Sequence, residues 1–332
     1  MSLEVLLEKI KELGVRHGVA HLLLVGSAAR KENTILSMDG KEIWLSDLEF
    51  FVIMKYSRDR LNFQNAINEL QASLDLGIHF SIDLSFMTQR QARNLGCRFL
   101  TYEAKHTGVD VLGGMKGFLP DYSVWDIDST DLHMTIVWRL YKIGKLLAVS
   151  SPIMPAVDYT YILARNLLDV LSVELYSQGI SITSYSGRLE YCISQRFTFP
   201  DLDLAVYEAA TEFKLTPNLR FVLTPNYVIK EFLNLHYRLL KRQRSNSLFE
   251  PNKRVRLLRR LYSSLLSRQF SSAKFSAAFN GADQGLSKFF GVFKTYLEAG
   301  TFSADDFYDS LIMLSDSFDF IADDLDDSIF KS

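Results

Sequence analysis

The sequence predicts an α+β protein: a mixed β-sheet domain with flanking helices over residues 1–118, then an all-α region over 130–332 holding one or two helical subdomains. Three observations carry that reading. Short β-rich runs, such as HLLLV at 21–25 and the alternating IHFSIDLSF at 78–86, are confined to the first third of the chain. Stretches of helical spacing separate them. Past residue 131 the alternation stops and long helical periods take over.

Taken in order, MSLEVLLEKIKELGV places Leu3, Leu6, Leu7, Ile10 and Leu13 on one face of an amphipathic helix. His21 to Val25 reads as a buried strand that ends at Gly26-Ser27. Thr34 to Met38 and Lys41 to Leu45 flank Asp39-Gly40, a dipeptide suited to the positive φ of a tight turn, and predict an inserted hairpin. Residues 45–56 and 78–86 are strands, the second with Ile78, Phe80, Ile82, Leu84 and Phe86 on one face. Leu61, Ile67, Leu70 and Leu74 predict a helix over 60–76, and Leu95, Phe99 and Tyr102 another over 88–105. The Gly-, Pro-, Asp- and Ser-rich stretch 113–131 is a domain boundary. Beyond it, Leu132, Ile136, Leu140, Ile143 and Leu147 mark a helix. After Pro152 and Pro155, Ala156 to Gln178 marks a long apolar one ending near Gly179.

The 332 residues, 48% of them apolar, supply cores for about two domains. Thirty-seven basic and 39 acidic side chains leave a net charge of -2, so no global field draws the chain to nucleic acid or an anionic surface. Two cysteines, Cys97 and Cys192, exclude a disulfide framework or a four-thiolate zinc site and fit a reducing cytoplasm. No run reaches the ~18 to 20 apolar residues of a spanning helix, so no membrane association is expected.

Asp47 and Glu49 stand two apart in a strand and therefore share a face, their Cα atoms roughly 6.5 to 7 Å apart. Close carboxylates repel by about 4 kcal/mol at ~4 Å and an effective dielectric near 20, which favours a divalent cation between them. Magnesium is the natural guest. Asp83 lies on the polar face of its strand with His79, Ser81 and Ser85; beside the pair it makes three carboxylates, the set a two-metal site requires. Gly26-Ser27 supplies a close backbone approach and amide and hydroxyl donors for a phosphate, and Arg30 adds a positive fork. A D-x-[DE] triplet occurs by chance roughly four times in such a chain, and Asp126/Asp128, Asp201/Asp203 and Asp324/Asp326 are further cases. Order and context raise the signal: strand, Gly-Ser, Ser46-Asp47-Leu48-Glu49, helix, then a strand with one inward Asp.

GSAAR at 26–30, SDLEFFV at 46–52 and SIDLSF at 81–86 together resemble the nucleotidyltransferase superfamily typified by DNA polymerase β and the aminoglycoside nucleotidyltransferases. The resemblance implies that Gly26 and Ser27, with Arg30 and Ser46, bind the nucleotide. It implies too that Asp47, Glu49 and Asp83 hold two Mg²⁺ ions, Asp83 also serving as base. YEAKHTGVDVLGG at 102–114 is similar to the segment where an acidic residue precedes a short closing strand, with no role assigned to Glu103. Ser27 and Asp47 are 20 residues apart, farther than in compact members of the family, and the Asp39-Gly40 hairpin accounts for the excess.

Other groups read more plainly. His17 and His21 are interrupted by Gly18; His79 and His106 could relay a proton but fit ordinary polar roles. Ser151 and Cys192 have no base motif beside them. Between 238 and 268, ten basic residues face only Glu250, a patch able to hold nucleic acid, whereas nine aspartates from Asp305 to Asp327 make the tail acidic and able to pair with it. Arg165, Tyr185, Ser186 and Arg188 stand where helical second domains of similar transferases contact the nucleotide. The expectation is a cytoplasmic, Mg²⁺-dependent enzyme moving a nucleoside monophosphate from a triphosphate such as ATP to the hydroxyl of a small molecule, protein or RNA. The alternatives are a non-catalytic nucleotide-binding regulator of the same fold, or an RNA-binding or RNA-tailing protein using 238–268.

Overall fold

The computed structural model describes residues 2–38, 41–74, 80–148, 156–195, 202–217, 221, 223–245 and 287–315. The chain divides into two compact units, Met1–Trp138 with Ile153–Val228, and Arg139–Pro152 with Ile229–Ser332. In chain order the elements begin α1 (Leu3–Arg16), β1 (Val19–Val25), the single turn α2 (Gly26–Ala29), β2 (Ile35–Met38), β3 (Lys41–Trp44), β4 (Leu48–Met54) and α3 (Arg60–Ala72). They continue with β5 (Ile82–Met87), α4 (Gln89–Arg93), α5 (Phe99–Thr107), β6 (Val109–Leu112), α6 (Ser129–Ala148), α7 (Ala156–Tyr176), α8 (Tyr185–Ser194), α9 (Leu204–Leu215) and α10 (Pro225–Ser245). A helix over 287–299 and α12 (Ala304–Ser315) follow, the former being α11. The protein is thus α+β, and every regular element described after Leu112 is helical.

Ser2 caps α1 by accepting a hydrogen bond from the Val5 amide at 3.4 Å, and Leu6, Ile10 and Gly14 form its buried stripe. Gly18, at φ 75°, turns the chain into β1. The main sheet has the order β5-β4-β1-β6: β1 is antiparallel to both neighbours and β5 is parallel to β4. Parallel pairing requires a crossover, which α3 provides while burying Phe63 and Ile67. Leu22 and Leu24 join Phe50, Val52 and Ile82 in one core, whereas Leu23 and Val25 join Phe51, Ile53, Ala104 and Met115 in the other. With both faces of β1 and β4 covered, residues 22–25 and 50–54 are continuous apolar runs rather than alternations. Edge strand β5 keeps its alternation, with Ile82 buried and Asp83 and Ser85 exposed.

The expected hairpin is present as the ladder β2–β3, from Ile35↔Trp44 to Met38↔Lys41, though Asp39 and Gly40 lie outside the described residues. Its base is closed where the Leu45 amide donates to the Thr34 carbonyl at 3.0 Å. The single helix expected over 88–105 is instead two, α4 and α5. Thr88 starts the first with a reciprocal capping box to Gln91, and Asn94 ends it. The second is started afresh because Thr101 Oγ1 accepts from the Arg98 amide at 2.7 Å while Asp131 accepts from the Phe99 amide at 2.6 Å. A side chain 32 residues away thus overrides the continuous apolar spacing. The stretch 113–131 forms two short 3₁₀ turns, Met115–Phe118 and Val124–Asp126, within the first unit. Helices α7, α8 and α9 belong to that same unit, and α7 ends near Gly179, whose φ is 77°.

In the second unit, Phe289, Phe293, Phe302 and Phe307 form an aromatic cluster on which Tyr141 stacks. Gly144 is required there, since a Cβ would lie 2.3 Å from the Phe307 ring. No helix among the described residues is long and apolar enough to cross a membrane.

Candidate functional site

The register of the sheet brings three of the predicted groups to one end. Val25, the last residue of β1, pairs with Glu49 of β4, and Glu49 pairs with Asp83 of β5. Paired residues on adjacent strands share a face at a spacing of about 4.8 Å, so Glu49 and Asp83 stand side by side with Asp47 two residues away on the same face. Immediately after Val25, Gly26 takes a φ of 73° and opens α2. A Cβ at this position would lie 2.6 Å from Glu49 Oε2, so glycine is needed both for the turn and for the approach of the carboxylate. Ser27 is the next residue of the turn, and its carbonyl accepts from the Glu32 amide at 2.9 Å.

Across from these acids lies Arg165 of α7. Its two terminal nitrogens divide between two carboxylates, one reaching Asp47 Oδ2 at 3.3 Å and the other Glu49 Oε1 at 3.4 Å. The three side chains are about a quarter to a third exposed, at 27%, 24% and 31%. Enclosure by protein and then the charges of Asp47 and Glu49 push the Asp83 carboxyl above its ordinary value, against the Ser81 hydrogen bond and Arg165. Among the described residues no group of three or more His, Cys, Asp or Glu side chains is gathered into a metal cage. The donor set nonetheless suits a hard cation, consisting of carboxylate oxygens that already hold a positive group between two of them.

Arg30 and Ser46, placed with the nucleotide-binding residues by sequence, are buried and engaged. Arg30 donates to Glu32 Oε2 and Glu103 Oε2, each at 2.8 Å, and lies over the Tyr185 ring. Arg188 pairs with Glu103 Oε1, donates to the Tyr176 hydroxyl and to the Ile182 carbonyl at 2.8 Å each, and is 1% exposed. Tyr176 also donates to Glu103 at 3.0 Å, and the Tyr185 amide donates to Glu32 at 2.7 Å. Burial opposes ionisation of Glu103, but Arg30 and Arg188 outweigh it and hold the carboxyl below its usual range. Ser46 accepts from the Thr34 amide at 2.8 Å and from Lys214 Nζ at 2.9 Å, and shares a hydrogen bond with the Tyr161 hydroxyl.

Lys214 was not singled out by sequence. Fully buried on α9, it donates to the Glu32 carbonyl, Thr34 Oγ1 and Ser46 Oγ and lies over the rings of Tyr161 and Tyr185. Burial pulls its amine below the ordinary value. Burial opposes ionisation of Tyr161, yet Lys214, Arg165 and the Ser46 hydrogen bond carry that phenol down. Lys214 thereby ties α9 to both ends of the β2–β3 excursion, one residue before Asp47. No local pattern marks it, for the acceptors of its ammonium hydrogen bonds lie 168 to 182 residues away.

His17 ends α1, while His21 sits in β1 and accepts from the Gly114 amide, so the two do not share a helix. His106 contacts the Tyr122 carbonyl at 3.1 Å. Burial pushes both thiols, Cys97 and Cys192, up to about 12, which leaves no reactive thiolate. His79, Ser151, the patch beyond 245 and the tail beyond 315 lie outside the described residues. No model of a known protein family matches the chain, and no curated protein does either.

Proposed function

We propose that the chain is a magnesium-dependent nucleotidyltransferase of the polymerase β-like fold. What carries the reading is one register: Val25, Glu49 and Asp83 pair across three strands, so that the Gly26-Ser27 turn and the acids Asp47, Glu49 and Asp83 meet at one sheet end. Such a turn, with backbone amides and a hydroxyl beside clustered carboxylates, suits a magnesium-bound triphosphate. Asp47, Glu49 and Asp83 would hold the ions, which when bound neutralise charge on the attacking and leaving oxygens. The Gly26 and Ser27 amides and the Ser27 hydroxyl hold the departing phosphates. A carboxylate oxygen of Asp83 takes the proton of the acceptor hydroxyl as that oxygen bonds to the α-phosphorus. The bond from the α-phosphorus to the bridging oxygen breaks, and pyrophosphate leaves with its electron pair. Arg30 and Ser46 act one layer out, Arg30 fixing the turn through Glu32 and Glu103, and Ser46 fixing the approach to Asp47. The acceptor is a hydroxyl on a small molecule, protein or RNA.

Calorimetric titration of non-hydrolysable triphosphates with and without Mg²⁺ tests the reading. Binding that needs Mg²⁺ and disappears in Asp47→Asn is expected; triphosphate binding indifferent to both Mg²⁺ and this substitution overturns it. The ion pair of Arg165 with Asp47 and Glu49 favours one second reading, a non-catalytic nucleotide binder in which the guanidinium permanently replaces metal. That reading predicts tight, Mg²⁺-independent binding in the same titration.

A further inference from the structure

Arg165 occupies the oxygens that a divalent cation would use. Asp47 Oδ2 and Glu49 Oε1 face its two terminal nitrogens at 3.3 and 3.4 Å. Charge-assisted N–H···O bonds are ordinarily ~2.7 to 2.9 Å, so neither of the guanidinium's contacts with the acids is a short one. Its side chain is 27% exposed, so it keeps partial contact with solvent. One guanidinium also carries a single positive charge against the two carboxylates it bridges, with Asp83 beside Glu49 in the register. A single positive charge therefore stabilises the empty cluster without satisfying it, and two dications could not share those oxygens with it.

We propose that Arg165 is a displaceable counter-ion: it neutralises Asp47 and Glu49 until metal and triphosphate arrive together, then hands these oxygens to the metal and takes phosphate oxygens itself. The inference rests on the nucleotidyltransferase reading and deepens it. A planar fork that spans two carboxylates is equally able to span two phosphate oxygens, and the triphosphate that brings metal to the acids also brings that new partner. Metal alone must expel the guanidinium without compensation, whereas metal with triphosphate gives it somewhere to go. The two ligands are therefore coupled, each raising the affinity for the other by the same factor.

The test measures Mn²⁺ binding by electron paramagnetic resonance on the full chain, with and without a non-hydrolysable ATP analogue. Wild type, Arg165→Gln, Arg165→Lys and Asp47→Asn are compared. In wild type the analogue is expected to raise Mn²⁺ affinity by about tenfold or more, within the usual range of coupling. Arg165→Gln should bind Mn²⁺ alone about tenfold tighter than wild type and lose most of the coupling. Arg165→Lys, which keeps the charge and so guards against a folding defect, should fall between them. Equal Mn²⁺ affinity in wild type and both Arg165 variants, with binding still lost in Asp47→Asn, overturns the counter-ion role and leaves the metal reading standing. Failure of every protein to bind Mn²⁺, with or without analogue, overturns both.

Discussion

Two arginine–carboxylate assemblies sit in the first unit, and they are built on opposite terms. Around Glu103, two guanidiniums meet two carboxylates, Arg30 and Arg188 against Glu32 and Glu103, and the side chains of the three ion pairs are at most 7% exposed. Tyr176, the Tyr185 amide and the Ile182 carbonyl add further hydrogen bonds to these charged groups. Around Arg165, one guanidinium meets two acids, Asp47 and Glu49, at longer distance and in partial contact with solvent, with Asp83 beside Glu49 in the register. Buried charge is tolerated only when it is balanced and fully hydrogen-bonded, so the first assembly must be closed. Charge left unbalanced near a surface is costly to a fold and useful to a ligand, and the open assembly is accordingly the one on which the proposed function rests.

Breaking the closed assembly should produce the largest effect. Glu103→Gln leaves Arg30 and Arg188 buried without their shared carboxylate, and a loss of about 3 to 5 kcal/mol is expected in urea denaturation. A loss under about 1 kcal/mol would mean that the network contributes little beyond packing. Acid provides a gentler version of the same perturbation. The folded-state pKa of Glu103 lies below its ordinary value of 4.5, so its contribution is present above the unfolded value and is lost as pH falls through the folded one. Wild-type stability should accordingly decline more steeply than that of Glu103→Gln between about pH 5 and 2. Parallel curves would contradict it. The smallest effect is expected in the open assembly. Asp47→Asn removes one half of a long, partly exposed pair and also relieves repulsion on Asp83, so stability should change by no more than about 0.5 kcal/mol. A cost of several kcal/mol would place Asp47 among the structural charges.

The unequal legibility of the two assemblies in the sequence has a physical origin. Strand β1, helix α1, the hairpin and α7 are visible because each is specified by residues within about twenty positions: an apolar run, a capped amphipathic period, two β-rich runs flanking an Asp-Gly dipeptide, and flanking breakers. The acids and the Gly-Ser turn are visible for the same reason, each being a short motif at the end of a strand. The break between α4 and α5 is not, because Asp131 imposes it from outside the local pattern. Nor are the partners of Arg30 and Ser46. Arg30 looks like a free fork in GSAAR, yet Glu103 claims it from 73 residues away, and Lys214 claims Ser46 from 168. Lys214, Tyr161 and Glu32 have no chemical signature until the chain has folded.

Those separations also set an order in time for a chain that emerges from its N-terminus. All three acids and the Gly-Ser turn are synthesised within the first 83 residues, but Arg165, Tyr176, Arg188 and Lys214 come later. Until then the Glu103 carboxylate has only Arg30 of its two guanidinium partners, and the base of the hairpin lacks the amine that joins Glu32, Thr34 and Ser46. A nascent chain stopped at residue 118 would therefore carry every motif of the site and still be unable to close the structure around it. Assembly of the candidate site is coupled to the arrival of α9, so an incompletely synthesised chain presents its acids without the scaffold that holds Ser46 and the hairpin base beside them.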